Sequence, residues 1–138
     1  MAYFGDKSGN KFSSMQSFLV VFLGGGLGSV IRFSLNKWIT SLHTQHFPWG
    51  TLTINVMACL MLGVVVGLAD HKQIISPSVR LFWTVGFCGG FSTFSTFSNE
   101  TLELIQNGFT TSSLIYIGAS MLLCVGATYG GLLLGENF

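Results

Sequence analysis

Charge is scarce in this chain: only 8% of its 138 residues are Asp, Glu, Lys or Arg, while 49% are hydrophobic. A soluble domain carries about 25% charged residues, so an ordinary water-soluble fold is excluded. The net charge is +1, and the basic residues Lys7, Lys11, Arg32, Lys37, Lys72 and Arg80 form no patch. The electrostatic footprint that nucleic acid requires is therefore missing. Cys59, Cys88 and Cys124 lie in apolar segments at spacings that fit no zinc or redox pattern, and they read as small buried hydrophobes. The glycine-rich run Gly24-Gly25-Gly26-Leu27-Gly28-Ser29 lacks the Gly-Lys-Ser/Thr ending and the preceding strand of a phosphate loop. No nucleophile–base pair, metal-ligand cluster or cofactor loop is present, so the chain does not read as an enzyme. After Lys7 and Lys11 no small-residue cleavage site follows, which argues against a secretory signal.

What the chain does contain is four apolar segments. A polar N-terminus, residues 1–16, reads as a mobile tail before a transmembrane domain, 17–138. The spans are expected at about 17–38, 51–69, 79–106 and 111–134, each long enough to cross a bilayer. Pro48 and Trp49 mark the first connection, where His43 and His46 read as solvated loop histidines. Pro77 closes the second, and Asn107-Gly108 is a turn signal for the third.

The third segment differs from the others. Gly86, Gly89 and Gly90 precede Phe91-Ser92-Thr93-Phe94-Ser95-Thr96-Phe97. Glycine loses the most backbone entropy on ordering, and Ser and Thr compete for their own backbone groups, so the helix is expected to break here. Freed backbone groups are tolerated at membrane depth only inside protein or along a watery or ion-filled cavity. A broken helix is thus a pointer to a binding site.

Other polar residues are read against that break. Asn55 in the second span is either interhelical glue or part of a site. Tyr116, Ser120, Cys124 and Thr128 recur every four residues and share one helical face, either for packing or to line an ion path. Arg32 lies a turn beyond the first glycine cluster, as an interfacial anchor or as a positive charge in a water-filled vestibule. Gly-x-x-x-Gly pairs occur in every span: Gly24/Gly28, Gly63/Gly67, Gly86/Gly90, Gly126/Gly130 and Gly131/Gly135. That spacing lets helix backbones approach closely in lipid. Four tight helices leave little room for an enclosed pore, and an oligomer is expected with the breaks at its interface. Lys7, Lys11, Lys72 and Arg80 fall on one side of the membrane, Lys37 and Arg32 on the other. So small an asymmetry permits insertion in both orientations, and hence an antiparallel dimer.

Three stretches together carry a family resemblance: Gly86-Phe87-Cys88-Gly89-Gly90-Phe91-Ser92-Thr93-Phe94-Ser95-Thr96-Phe97-Ser98, Gly50-Thr51-Leu52-Thr53-Ile54-Asn55, and Gly24 through Arg32. The chain resembles the Fluc (CrcB) family of small dual-topology bacterial fluoride channels over nearly all of its length after Gln16. The resemblance implies an all-α membrane protein of four transmembrane helices, the third broken, assembled as an antiparallel homodimer in the bacterial cytoplasmic (inner) membrane. It implies passive fluoride export through two pores.

By position, Phe94 and Phe97 match the paired rings whose edges face the ion, Asn55 the pore asparagine, and Ser95 and Thr96 the hydroxyl residues between the rings. Thr51, Tyr116 and Ser120 match a polar track, with Cys124 where another hydroxyl is often found. Gly89 and Ser92 match residues whose backbone carbonyls hold a structural sodium ion at the dimer centre, and Arg32 matches a vestibule arginine. Ala58 replaces a glycine, a departure expected to affect packing. Glu100 stands at a familiar acidic position without an assigned role. The alternative is a small dual-topology proton-coupled exporter, which needs a carboxylate midway along the first span; this span has none.

Overall fold

The computed structural model describes residues 14–43, 46–72 and 75–137. Within them every regular element is helical: α1 (Ser14–Ser41), α2 (Trp49–Lys72), α3 (Pro77–Leu81), a π-helical stretch (Phe82–Cys88), α4 (Gly89–Phe91), α5 (Phe94–Gln106) and α6 (Thr110–Asn137). α1, α2 and α6 are long and apolar enough to cross a membrane. The third segment, from α3 to α5, is of similar extent but is assembled from pieces. The chain is a multi-pass membrane protein. Residues 1–13 of the expected N-terminal tail lie outside the described residues, while Ser14, Met15 and Gln16 already belong to α1.

The outer helices outrun their apolar cores because polar residues at a helix end cost nothing once they reach the headgroups. α2 accordingly continues to Lys72, and Asp70 in its last turn pairs with Arg80 of α3 at 3.0 Å. α3 opens on Pro77 at its first turn, with the Ser76 hydroxyl accepting the Val79 N–H. Proline suits that position because its missing N–H would have no helical partner there. Asn107 caps α5 after Gln106, and Gly108 takes φ +82° to turn the chain into α6. Left-handed backbone of that kind favours glycine.

Helix pairing is set by glycine. α1 runs parallel to the third segment, with Gly24 against Phe82 and Phe87 and Gly28 against Phe87 and Phe91. A methyl group on Gly28 would overlap the Phe87 carbonyl oxygen and lie 2.8 Å from the Phe91 nitrogen, and one on Gly90 would overlap the Gly25 carbonyl. α2 pairs in the same parallel sense with α6, where Gly63 and Gly67 meet Thr128 and Leu132, and Gly131 and Gly135 meet Leu60 and Val64. Gly126 and Gly130 differ from the other glycine pairs: beyond their own helical turns, no described residue comes within 4 Å of a methyl built there. The Gly-x-x-x-Gly spacing marks them equally, but only the facing helix decides which pairs are used.

Two buried clusters flank the interruption of the third segment. Ile54, Ala58, Phe87, Cys88 and Phe91 form one, and Leu52, Phe97, Leu104 and Tyr116 the other. Ala58 thus serves packing. The outer faces are apolar and open, as with Phe22 on α1 and Leu122 on α6, the surface a bilayer covers.

Candidate functional site

The helix is interrupted at Ser92 and Thr93, the two non-helical residues between α4 and α5. Their backbone torsions are extended, with ψ 160° at Ser92 and φ −152° at Thr93. Asn55 of α2 replaces the missing helical partners. Its Oδ1 accepts the Thr93 N–H at 2.8 Å, and its Nδ2 donates to the Thr93 carbonyl at 3.2 Å. A side-chain amide here acts as a surrogate peptide group. Asn55 therefore spends one of its two N–H donors on the break, leaving the other for a ligand.

On the other side of the break, Thr93 caps α5. Its hydroxyl accepts the Thr96 N–H at 3.2 Å, donates to Thr96 Oγ1 at 3.1 Å and lies 3.2 Å from Ser95 Oγ. Threonine is among the favoured N-cap residues at a helix start. Thr93, which caps and is pinned, was not among the residues singled out from the sequence. The Thr-Phe-Ser-Thr order could have marked it as an N-cap.

These bonds settle which carbonyls are released. In an uninterrupted helix the Gly89 carbonyl would accept the Thr93 N–H and the Ser92 carbonyl the Thr96 N–H. Both donors are directed elsewhere, to Asn55 and to the Thr93 hydroxyl. Ser92 N–H and Oγ meanwhile both donate to the Cys88 carbonyl, at 2.9 and 2.8 Å. Gly89 is exposed on the surface of the chain, with open space where a side chain would stand. Hard carbonyl oxygens freed in this way suit a hard cation. Among the described residues no group of three or more His, Cys, Asp or Glu could hold a metal ion.

The two phenylalanines of α5 point in different directions. Phe97 is buried against Tyr116, with ring centroids 5.0 Å apart, while Phe94 is 72% exposed on the chain's outer face. Their own centroids are 5.5 Å apart at an interplanar angle of 38°.

A second polar cluster lies one turn away on α5. Glu100 accepts the Thr51 hydroxyl on Oε1 at 2.7 Å and the Tyr116 hydroxyl on Oε2 at 2.8 Å. Thr51 and Tyr116, expected along a polar track, are thus joined by the acid whose role the sequence left unassigned. Farther along α6, Ser120 is buried and its Oγ has no hydrogen-bond partner among the described residues. Thr128 departs from the stripe by donating to the Cys124 carbonyl of its own helix. Arg32 is half-buried on α1 and is not brought into contact with these groups. Beyond Glu100 a cavity of about 250 Å³ opens between the α1–α2 and α5–α6 connections, lined in part by Asn36, Gly50, Glu100 and Glu103.

A broken third segment pinned by Asn55, a phenylalanine pair and a hydroxyl track form the set against which relatives can be compared. Residues 19–132 match the family described as CrcB-like protein, Camphor Resistance (CrcB). The chain belongs to the CrcB family. Its relatives include a protein of Phocaeicola vulgatus, 43% identical over 122 residues that cover 88% of this chain and 100% of the relative. One from Rhizobium etli is 41% identical over 114 residues, covering 83% and 91%. One from Leptospira interrogans is 36% identical over 123 residues, covering 89% and 97%. All three relatives carry the name fluoride-specific ion channel FluC.

Proposed function

We propose that this CrcB protein is a passive, fluoride-selective channel that lets fluoride out of the bacterial cytoplasm across the inner membrane, working as an antiparallel homodimer with two pores. The observation that carries this reading is the interruption at Ser92–Thr93 beside Phe94 and Phe97, in a chain whose relatives are named fluoride channels. An aromatic ring is negative on its face and positive at its edge. Rings presented edge-on solvate an anion without holding it tightly, as conduction demands.

The exposed Phe94 leaves its ring free to complete a site at a dimer interface. The free N–H of Asn55, Ser95 and Thr96 supply donors around the rings. The Ser120 hydroxyl, unpartnered among the described residues, supplies a donor along the track, while the single O–H protons of Thr51 and Tyr116 are held by Glu100. A buried hydroxyl without a partner costs about 1–3 kcal/mol unless a ligand or water satisfies it. Fluoride is small and strongly hydrated, so it gains from closely spaced donors, whereas chloride is excluded by narrowness and donor geometry. Arg32 at the vestibule draws the anion in.

The released carbonyls of Gly89 and Ser92, doubled by the two-fold relation of a dimer, would hold a structural sodium ion. The cation would supply fixed positive charge and tie the two interruptions together. The weak charge asymmetry of the connections supports dual insertion. A proton-coupled exporter would need an acid on α1, and Ser14–Ser41 contains none.

The test is a planar-bilayer recording of the purified protein under a fluoride-to-chloride gradient. Fluoride current with a reversal potential set by fluoride alone, and unmoved by a proton gradient, is expected. A reversal potential that follows the proton gradient would instead establish the exporter. For the assembly, a C-terminal accessibility tag should be labelled from both sides of intact cells; labelling from one side alone would refute dual topology.

A further inference from the structure

The cavity beyond Glu100 contains an amide that the reading above does not use. Asn36 of α1 is half-buried there, and it makes no hydrogen bond with any other described residue. Its place depends on Gly50: a methyl group on Gly50 would overlap Asn36 Oδ1 and lie 3.3 Å from Thr40 Oγ1. Gly50 is itself buried, immediately before the track residue Thr51. The missing side chain at Gly50 is therefore what admits the Asn36 amide to the cavity.

The cavity adjoins the polar track directly, because Glu100 lines it while both its oxygens are held by Thr51 and Tyr116. An anion in the cavity meets Glu100 and Glu103, and among the described residues lining the space the basic side chains are His43 and His46, with no lysine or arginine. Glu103 is already engaged by Asn99 at 2.6 Å. Like charges at close range oppose occupancy, so donors are needed to carry an anion past them. Asn36 brings two N–H donors and no formal charge. It also lies one helical turn after Arg32 and one before Thr40, on one face of α1.

Resting on the fluoride-channel reading, we propose that this cavity is an antechamber of the ion route and that Asn36 is a pathway residue in it, given its place by Gly50. The amide hands the anion between bulk water and the part of the track that lies beyond Glu100. The adjacent carboxylates keep that site weak, so the anion does not linger.

The test is fluoride efflux from liposomes containing the wild-type dimer or variants, read as rate against fluoride concentration, with thermal unfolding measured on the same samples. Asn36→Asp is isosteric, removes the donors and adds a third carboxylate; it should slow efflux about tenfold or more, the value of one lost charge-assisted hydrogen bond. Asn36→Ala should slow it less, and both should raise the fluoride concentration at half-saturation without moving the unfolding midpoint. Gly50→Ala should also slow efflux, and Gly50→Ala combined with Asn36→Ala should be no slower than Asn36→Ala alone. Wild-type rates in both Asn36 variants would overturn the proposal, as would a Gly50→Ala defect that is as large without the Asn36 amide as with it. If Asn36→Asp does not fold, Asn36→Ala and the double variant decide alone. A wild-type protein that passes no fluoride would instead refute the channel reading itself.

Discussion

Replacing Asn55 by leucine, which is nearly isosteric, removes the amide that holds the interruption open. The change leaves two backbone groups of Thr93 without partners, the N–H bonded at 2.8 Å and the carbonyl at 3.2 Å. Thr93 is buried, so water does not replace the lost bonds. At about 1–3 kcal/mol for each orphaned group, the variant should lose about 2–6 kcal/mol. A cheaper outcome is open to the chain. The Thr93 N–H can return to the Gly89 carbonyl, mending the helix at the expense of the extended geometry and of one released oxygen. Both outcomes abolish fluoride passage, and they differ in backbone protection. Hydrogen exchange at the Thr93 amide should be fast if the break persists unpinned and slow if the helix mends. Fluoride efflux at the wild-type rate, with Thr93 exchange unchanged, would refute the assignment of Asn55 as the clamp.

The phenylalanine pair separates conduction from stability. Phe94→Leu, at a 72% exposed position, should leave the unfolding midpoint of detergent-solubilised protein nearly unchanged while reducing fluoride efflux at least tenfold. Phe97→Leu should lower both, because Phe97 packs in the Tyr116 cluster. At the α1 interface, Gly28→Ala should abolish recovery of a monodisperse protein on size exclusion, since its methyl overlaps the Phe87 carbonyl. Gly26→Ala, with open space around it, should be neutral. Tyr116→Phe removes one of the two hydroxyls on Glu100 and should cost about 1–3 kcal/mol in thermal unfolding. It should also slow efflux, and an effect on stability alone would remove Tyr116 from the ion route.

Much of this architecture could be read from local pattern. Two adjacent glycines followed by alternating hydroxyls and phenylalanines are incompatible with a uniform helix, and the interruption falls at Ser92–Thr93 within that stretch. The Asn-Gly pair at 107–108 likewise carries its own backbone reason. What local pattern does not carry is partnership across the fold. Nothing near Asn55 says that its amide faces Thr93, and nothing near Glu100 says that Thr51 and Tyr116 converge on it from two other helices. The same limit applies to glycine, since Gly28 and Gly126 sit in identical spacing patterns and only Gly28 has a backbone against it. The π-helical stretch before the break has no sequence counterpart that we can identify.

The most direct test of the central claim is anion efflux from liposomes loaded with potassium fluoride or potassium chloride, started by a potassium ionophore and followed with ion-selective electrodes. The account predicts rapid fluoride loss with chloride retained, and loss of the fluoride signal when Phe94 and Phe97 are both replaced by leucine. Equal retention of the two anions by the wild-type protein, or equal release of both, would contradict it.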